Sequence, residues 1–163
     1  MSLGWQVLAA ARAREQGASA LQMIAAADKA RQKMAQVVLM DSLDHLLRTG
    51  RIGKATQMLG SIIKLKPLVM INHQRGIVEP AGRARTRKKA IELLIQRFFD
   101  QLEIDKPMHI AVLHGNALPE AEALAERIQR EYSPEELIIN ITGPVLGINT
   151  GPSALALSGH TEE

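Results

Sequence analysis

The apolar residues of this 163-residue chain fall into short runs, and this feature limits what the chain can fold into. Runs such as Val37 to Met40 and Pro67 to Ile71 have the length of a β-strand, and none approaches the ~20 residues that span a bilayer. Outside these runs, apolar residues recur at helical spacing, as at Leu21, Ile24 and Ala25. This alternation predicts an α/β domain, and the length suits a single one.

The interior must be aliphatic, because the only aromatic residues are Trp5, Phe98, Phe99 and Tyr132. An aliphatic core that contains methionine adapts to a flexible apolar ligand, and it suits an ordinary helical layer equally well. The chain has no cysteine, which excludes disulfides and thiolate metal sites and is compatible with a reducing compartment. The N-terminus lacks the pattern of a secretory signal. We therefore expect a cytoplasmic protein.

The order of the segments predicts helices first, followed by mixed strands and helices. Helices are expected over Val7–Lys33 with a break at Gly17–Ser19, after Ser42, over Ala55–Ile63, over Thr86–Leu102, and from Pro119 to Tyr132. Strands are expected at Gln36–Met40, Lys66–Asn72, Gly76–Arg83, His109–Leu113, Leu137–Ile141 and Ala154–Leu157. Pro80 places the third strand near an edge. The fold class is therefore α/β (α+β), a mostly antiparallel sheet covered by helices on one face.

Two basic segments are candidate anion sites. The segment from Arg83 to Lys89 opens a helix, where cations are unfavourable unless they meet an anion. It is either a solvated face or a docking patch in which Arg85 and Arg87 bind carboxylate or phosphate. The loop Thr49–Lys54 is too short for a phosphate-binding Walker loop. It is either a solvated turn or a place where Arg51 and Lys54 face an anionic ligand or partner.

The segment from Gly143 to Ser153 is rich in glycine and proline, which predicts an unusual backbone path. It is either a tight connection between strands or a turn whose N–H groups face an anion. In the second interpretation Asn149, Thr150, Gly151 and Ser153 bind the ligand.

The sequence contains no recognisable catalytic or metal-binding pattern. Its five histidines show no ligand spacing, and we expect no metal, no cofactor and no enzymatic activity. Two alternatives remain open. One is an enzyme acting on a phosphorylated metabolite, with His73 or His114 as its base. The other is a nucleic-acid-binding module that uses residues 83–89, although stacking aromatics are nearly absent there.

Four segments together resemble the DegV family of bacterial fatty-acid-binding proteins. Each carries a recognisable motif, and the four occur in the family's order: Met40-Asp41-Ser42-Leu43 through Gly50-Arg51-Ile52-Gly53-Lys54-Ala55, Leu59-Gly60-Ser61 to Lys66-Pro67, Arg85-Thr86-Arg87-Lys88-Lys89-Ala90, and Gly143-Pro144-Val145-Leu146-Gly147 with Thr150-Gly151-Pro152. The resemblance implies linking helices over residues 1–33 and a C-terminal lipid-binding domain over residues 34–163. It also implies that the family's N-terminal domain is absent from this sequence.

The resemblance implies a fatty-acid carrier rather than an enzyme. Its bound ligand is a long-chain fatty acid, and its partner is a separate fatty-acid kinase that serves phospholipid synthesis, with Arg51, Arg85 and Arg87 facing kinase or phosphate. No nucleic acid and no transmembrane segment are expected, and the isolated domain is expected to self-associate. One motif departs from the family, whose closing turn reads His-Thr-Gly-Pro-Gly where this chain has Asn149-Thr150-Gly151-Pro152-Ser153. Asn149 donates hydrogen bonds but carries no charge.

Overall fold

A computed structural model describes residues 1–58 and 65–162 of the chain. Its helices are α1 Ser2–Glu15, α2 Ala20–Gln32, α3 Asp44–Arg48, α4 Arg87–Phe99, α5 Leu118–Tyr132 and α6 Pro144–Thr150, with a 3-10 helix over Gly53–Met58. Its strands are β1 Ala35–Leu39, β2 Lys66–Asn72, β3 Ile77–Ala84, β4 Met108–His114, β5 Glu136–Ile141 and β6 Leu155–Thr161. None of the helices in these described ranges is long and apolar enough to cross a membrane.

The six strands of the described residues form one sheet in the order β3-β2-β1-β6-β4-β5. Every neighbouring pair is antiparallel except β4 and β5, which run parallel through α5. The predicted fold class, a mostly antiparallel α/β sheet covered by helices, is therefore confirmed. β3 lies at one edge, as predicted from Pro80, which has no N–H to donate to a further strand.

Helices pack against both faces of the sheet, whereas we expected them on one. Side chains alternate between the faces along a strand, so Val37 lies in the core beneath α4 and α5 while Val38 lies in a second core on the other face. The second core contains Trp5 of α1 and Leu46 of α3. The sequence shows each strand's alternation but not which helix covers which face.

The glycine- and proline-rich segment forms helix α6, where the sequence suggested either a tight connection between strands or an anion-facing turn. Pro144 occupies the first turn of this helix, a position that needs no N–H donor. The helix ends at Gly151, whose φ of +75° is unfavourable for other residues. The helix predicted over Ala55–Ile63 corresponds at its start to the 3-10 helix Gly53–Met58. Its end, and the motif Leu59-Gly60-Ser61, lie outside the described residues.

The α1–α2 hairpin is held to the sheet by Trp5 and by a charged cluster. Trp5 is fully buried, and its Nε1 donates a hydrogen bond to the carbonyl of Ser158 at 3.2 Å. Arg12 Nη2 donates to Glu136 Oε2 at 2.7 Å, and His109 Nδ1 lies 2.8 Å from the same oxygen. Residues 1–33 thus pack against the remainder of the chain, and their division from residues 34–163 as a separate unit stays a prediction.

Two groups beneath this hairpin have shifted pKa values. Burial lowers the pKa of His160, and the His109 ring, stacked on it at 5.1 Å between centroids, acts in the same direction. Burial alone would raise the pKa of Glu136, but hydrogen bonds from Arg12 and His109 hold that pKa below its usual value. Both shifts favour the form that is present at neutral pH, neutral histidine and ionised glutamate.

We expect the free energy of unfolding to fall as the pH is lowered from 7 to 5. Folding lowers the pKa of such a histidine below its value in the unfolded chain, about 6.5. Its contribution to the free energy of unfolding is complete above that unfolded pKa, and it is lost as the pH falls toward the pKa of the folded state. Urea unfolding at several pH values measures this slope. His160→Gln should make it shallower, with the remainder due to His73 and the N-terminal amine of Met1, whose pKa values are also lowered by burial. An unchanged slope in H160Q would contradict this assignment.

Candidate functional site

A cleft of about 400 Å³ lies beneath α6, on the face of the sheet that carries the second core. Its walls are mostly aliphatic and come from β1, β2, β3, α3 and α6. We call it the apolar cleft; its apolar lining residues are Val38, Met40, Leu46, Val69, Ile71, Ile77, Val78 and Leu146. Its volume falls within the ~300–1,000 Å³ typical of small-ligand sites. Such a surface suits a ligand that is apolar along most of its length.

The apolar cleft exists because β1 and β2 each turn alternate residues toward it. Val38 pairs with Val69 across the two strands, and Ile71 pairs with Val78 across β2 and β3. Helix α3 supplies Leu46 to the wall. The lining contains no aromatic side chain, in keeping with the scarcity of aromatic residues in the sequence.

Polar side chains lie at the α6 side of the cleft. Asn149 and Thr150, two of the predicted ligand-binding residues, line it together with Arg51 from the loop after α3. The structure thus brings together one predicted cation and two predicted neutral groups that are distant in the sequence. Gln36 of β1 is a further polar residue of the lining. A mostly apolar hollow with a few polar groups suits an amphipathic molecule.

Several donors on α6 are already used within the helix. The hydroxyl of Thr150 donates to the carbonyl of Leu146 at 3.1 Å, and Asn149 Nδ2 donates to the carbonyl of Val145 at 2.7 Å. The N–H of Gly151 donates to the carbonyl of Gly147 at 2.8 Å. The N–H groups of Gly151 and Ser153 are thus used within the protein, so they do not form the anion-facing turn that was one of the two interpretations of this segment. The second N–H of the Asn149 amide remains for a ligand.

Arg87 is engaged inside the protein instead of facing a partner. Its Nε and Nη2 donate to both carboxylate oxygens of Glu120 at 3.0 and 2.9 Å, and Nη2 also donates to the carbonyl of Ser153 at 2.6 Å. Asp41 lies 3.7 Å from Nη1. These acids explain why a cation is tolerated at the start of α4. Arg87 and the backbone of Ser153 therefore fix the loop between α6 and β6, and neither residue lines the apolar cleft.

Lys54, the other cation predicted to face an anion, pairs with Glu79 at 3.2 Å. Arg51 and Arg85 are therefore the predicted cations that have no acid partner among the described residues. Both side chains are exposed, and Arg51 uses only its Nη1, which donates to the carbonyl of Thr49 at 2.9 Å. Arg85 directly precedes Thr86, whose side chain caps α4. Of these two, only Arg51 lines the cleft. The segment 83–89 is thus not one continuous basic face, because the half-buried Arg87 is paired with Glu120.

A larger hollow of about 640 Å³ lies between the α1–α2 hairpin and the ends of β4 and β6. It is lined by charged residues that include Arg12, Lys29, Glu135, Glu136 and Glu162. Mixed charges that pair with one another, as Arg12 and Glu136 do, make a poor surface for an acyl chain. The smaller apolar cleft is therefore the better candidate for a lipid site.

Of the two histidines considered as general bases, His114 has a structural hydrogen bond, and neither of the two lines the apolar cleft. His114 is buried, and its Nδ1 accepts a hydrogen bond from the N–H of Ala117 at 3.2 Å. His73 is half-buried at the turn between β2 and β3. Sequence reasoning missed a third histidine, His45 of α3, whose ring packs against Gly151. No local pattern could have revealed this contact, because it joins two distant helices.

Comparison with known proteins agrees with this architecture. Residues 1–162 match the family described as "Uncharacterised protein, DegV family". A DegV domain-containing protein of Clostridium acetobutylicum is 32% identical over 163 residues, which is 100% of this chain and 56% of that protein. Another from Streptomyces coelicolor is 36% identical over 158 residues, 96% of this chain and 55% of that protein. The chain thus spans about half the length of the curated relatives it matches.

Two solved structures are also similar. A DegV family protein from Thermus thermophilus, described as binding fatty acid, superposes with a TM-score of 0.90 and 30% identity over 99% of this chain and 57% of that one. DegV from Bacillus subtilis, described as a fatty acid binding protein, has a TM-score of 0.82 and 28% identity over 99% of this chain and 57% of that one. Both confirm the fold of the whole described region.

Proposed function

The chain belongs to the DegV family, and on that premise we propose that it binds a long-chain fatty acid in the apolar cleft. The single observation that carries the proposal is the position of this aliphatic hollow directly beside Asn149, Thr150 and Arg51. The relatives described as fatty-acid-binding proteins support it.

The physical basis is burial of the acyl chain. Each methylene removed from water contributes about 0.8 kcal/mol, so the hydrocarbon part supplies most of the affinity. Because the cleft wall is aliphatic, the contact is weakly directional and does not by itself orient the ligand. Orientation then depends on the carboxylate, which Arg51 and the second N–H of the Asn149 amide can meet. Arg51 supplies the charge that Asn149 lacks.

The direct test is a binding measurement on the purified chain. Denaturing extraction followed by mass spectrometry should release a co-purified fatty acid, and the stripped chain should take up palmitate with one molecule per chain. Hexane-sized alkanes are too short to use the whole cleft and serve as weak-binding controls. A chain that yields no fatty acid and takes up no palmitate would contradict the proposal.

We further propose that the bound acid is presented to a separate fatty-acid kinase, which phosphorylates its carboxylate, and that the chain itself is not the catalyst. The exposed guanidinium groups of Arg51 and Arg85 support this role, because they can attract an acidic partner or the new phosphate. The test mixes the loaded chain with a fatty-acid kinase and ATP and measures acyl phosphate. If no acyl phosphate forms although palmitate is bound, the presenting role is wrong and the binding role stands.

A further inference from the structure

Beside the apolar cleft, although not among the residues that line it, lies a histidine that the sequence analysis did not single out as a site residue. His45 lies on α3, one residue before the cleft-lining Leu46, and its ring abuts Gly151, one residue after the cleft-lining Thr150. A β-carbon on Gly151 would lie 2.7 Å from Cδ2 and 2.8 Å from Nε2 of His45. Glycine at this position therefore allows the imidazole to sit directly against the end of α6.

The hydrogen bonds of α6 leave few donors for an acid group. Since the Thr150 hydroxyl already donates its only hydrogen to Leu146, it can only accept. A carboxylate is itself an acceptor, so it gains nothing from that hydroxyl unless the helical bond breaks. The donors that remain are the second Asn149 N–H, the unused N–H groups of Arg51, the side-chain amide of Gln36 on β1 and, beside the cleft, the His45 ring.

His45 is suited to donate. Its side chain is half-buried, and within residues 1–58 and 65–162 its ring nitrogens form no hydrogen bond or ion pair. The backbone of His45 is anchored, because its carbonyl accepts from both the N–H and the hydroxyl of Thr49. The imidazole is thus held by α3 and by Gly151, with Nε2 on the side of that glycine, and no other described residue hydrogen-bonds to the ring. An imidazole offers one N–H when neutral and two when protonated.

We propose that His45 is a head-group residue that binds the carboxylate of a fatty acid lying in the apolar cleft. This inference rests on the proposed function and specifies how the acid end is recognised. In this chain, α3 supplies an ionisable donor beside α6, where Asn149 stands in the closing motif. His45 acts only on the acid group and makes no contribution to the hydrocarbon part.

The test compares palmitate with hexadecanol, which has the same chain length but no carboxylate. His45→Phe should weaken palmitate binding about tenfold, the loss expected for one charge-assisted hydrogen bond at a partly exposed site. It should leave hexadecanol affinity within twofold. Arg48→Gln removes an exposed cation from the same helix, and it should change neither affinity by more than twofold.

Three outcomes would distinguish an error in the role of His45 from an error in the proposed function. Equal palmitate affinity in wild type and H45F would overturn the role of His45 while fatty-acid binding stands. Parallel losses for palmitate and hexadecanol would also overturn it, because they would assign His45 a packing role. Failure of the wild-type chain to bind either molecule would instead overturn the proposed function. His45→Gln, which keeps a donor, should recover part of the palmitate affinity lost in H45F.

Discussion

Substituting Ile71 with tryptophan is expected to lower palmitate affinity about 100-fold. Ile71 lies on β2, is half-buried, and lines the apolar cleft opposite Val78. An indole at this position would occupy the space of three or four methylenes. Since each buried methylene contributes about 0.8 kcal/mol, their exclusion costs about 3 kcal/mol, which is roughly a factor of 100 in affinity. Isothermal titration with palmitate measures the change.

The adjacent residue supplies a matched control. Met70 is also half-buried on β2, but its side chain packs against the opposite core. Met70→Trp therefore makes the same kind of substitution on the same strand without entering the cleft, and it should alter palmitate affinity less than twofold. Equal losses in I71W and M70W would show that the strand is sensitive to any bulky residue and that the cleft is not the binding site.

Replacing Trp5 with alanine is expected to cost about 3–5 kcal/mol of unfolding free energy, the range for large aromatic residues in cores. Trp5 is fully buried against the His109 and His160 rings, with centroid distances of 6.1 and 5.7 Å. Its loss leaves a cavity between α1 and the sheet and removes the hydrogen bond to Ser158. Urea unfolding followed by far-UV circular dichroism gives the difference, since the variant has no tryptophan left to report on folding.

Trp5→Phe separates the two contributions of this side chain. Phenylalanine retains most of the apolar volume but cannot donate to Ser158, so its loss should be clearly smaller than that of W5A. A loss under 1 kcal/mol in W5A would mean that the α1–α2 hairpin contributes little to the core. Residues 1–33 would then behave as a linking segment that is energetically separate from residues 34–163.

The elements that could be predicted from the sequence are those with strong local signals. β2 runs over Lys66–Asn72 as expected, because a continuous apolar run is bounded there by polar residues and a turn. The helix beginning near Pro119 and ending at Tyr132 also matches α5. Ser19 caps α2 through a capping box with Gln22, which a hydroxyl residue before an apolar-periodic segment indicates.

The features that could not be predicted depend on partners distant in the chain. Arg87 has no acidic residue within four positions in the sequence, so its pairing with Glu120 on another helix leaves no local trace. Helix α6 is short and contains Gly147 within it, which obscures any helical periodicity. The contact between His45 and Gly151 depends on how α3 and α6 meet above the sheet.

The central claim, that the acyl chain lies in the apolar cleft, is tested most directly by photo-crosslinking. Palmitate carrying a diazirine near its methyl end would be bound to the chain, irradiated, and the labelled residues identified by mass spectrometry. We expect the label on β1, β2 and β3, at residues such as Val38, Val69, Ile71 and Val78. Label concentrated on the α1–α2 hairpin around the charged hollow, or spread over exposed helices, would contradict the account.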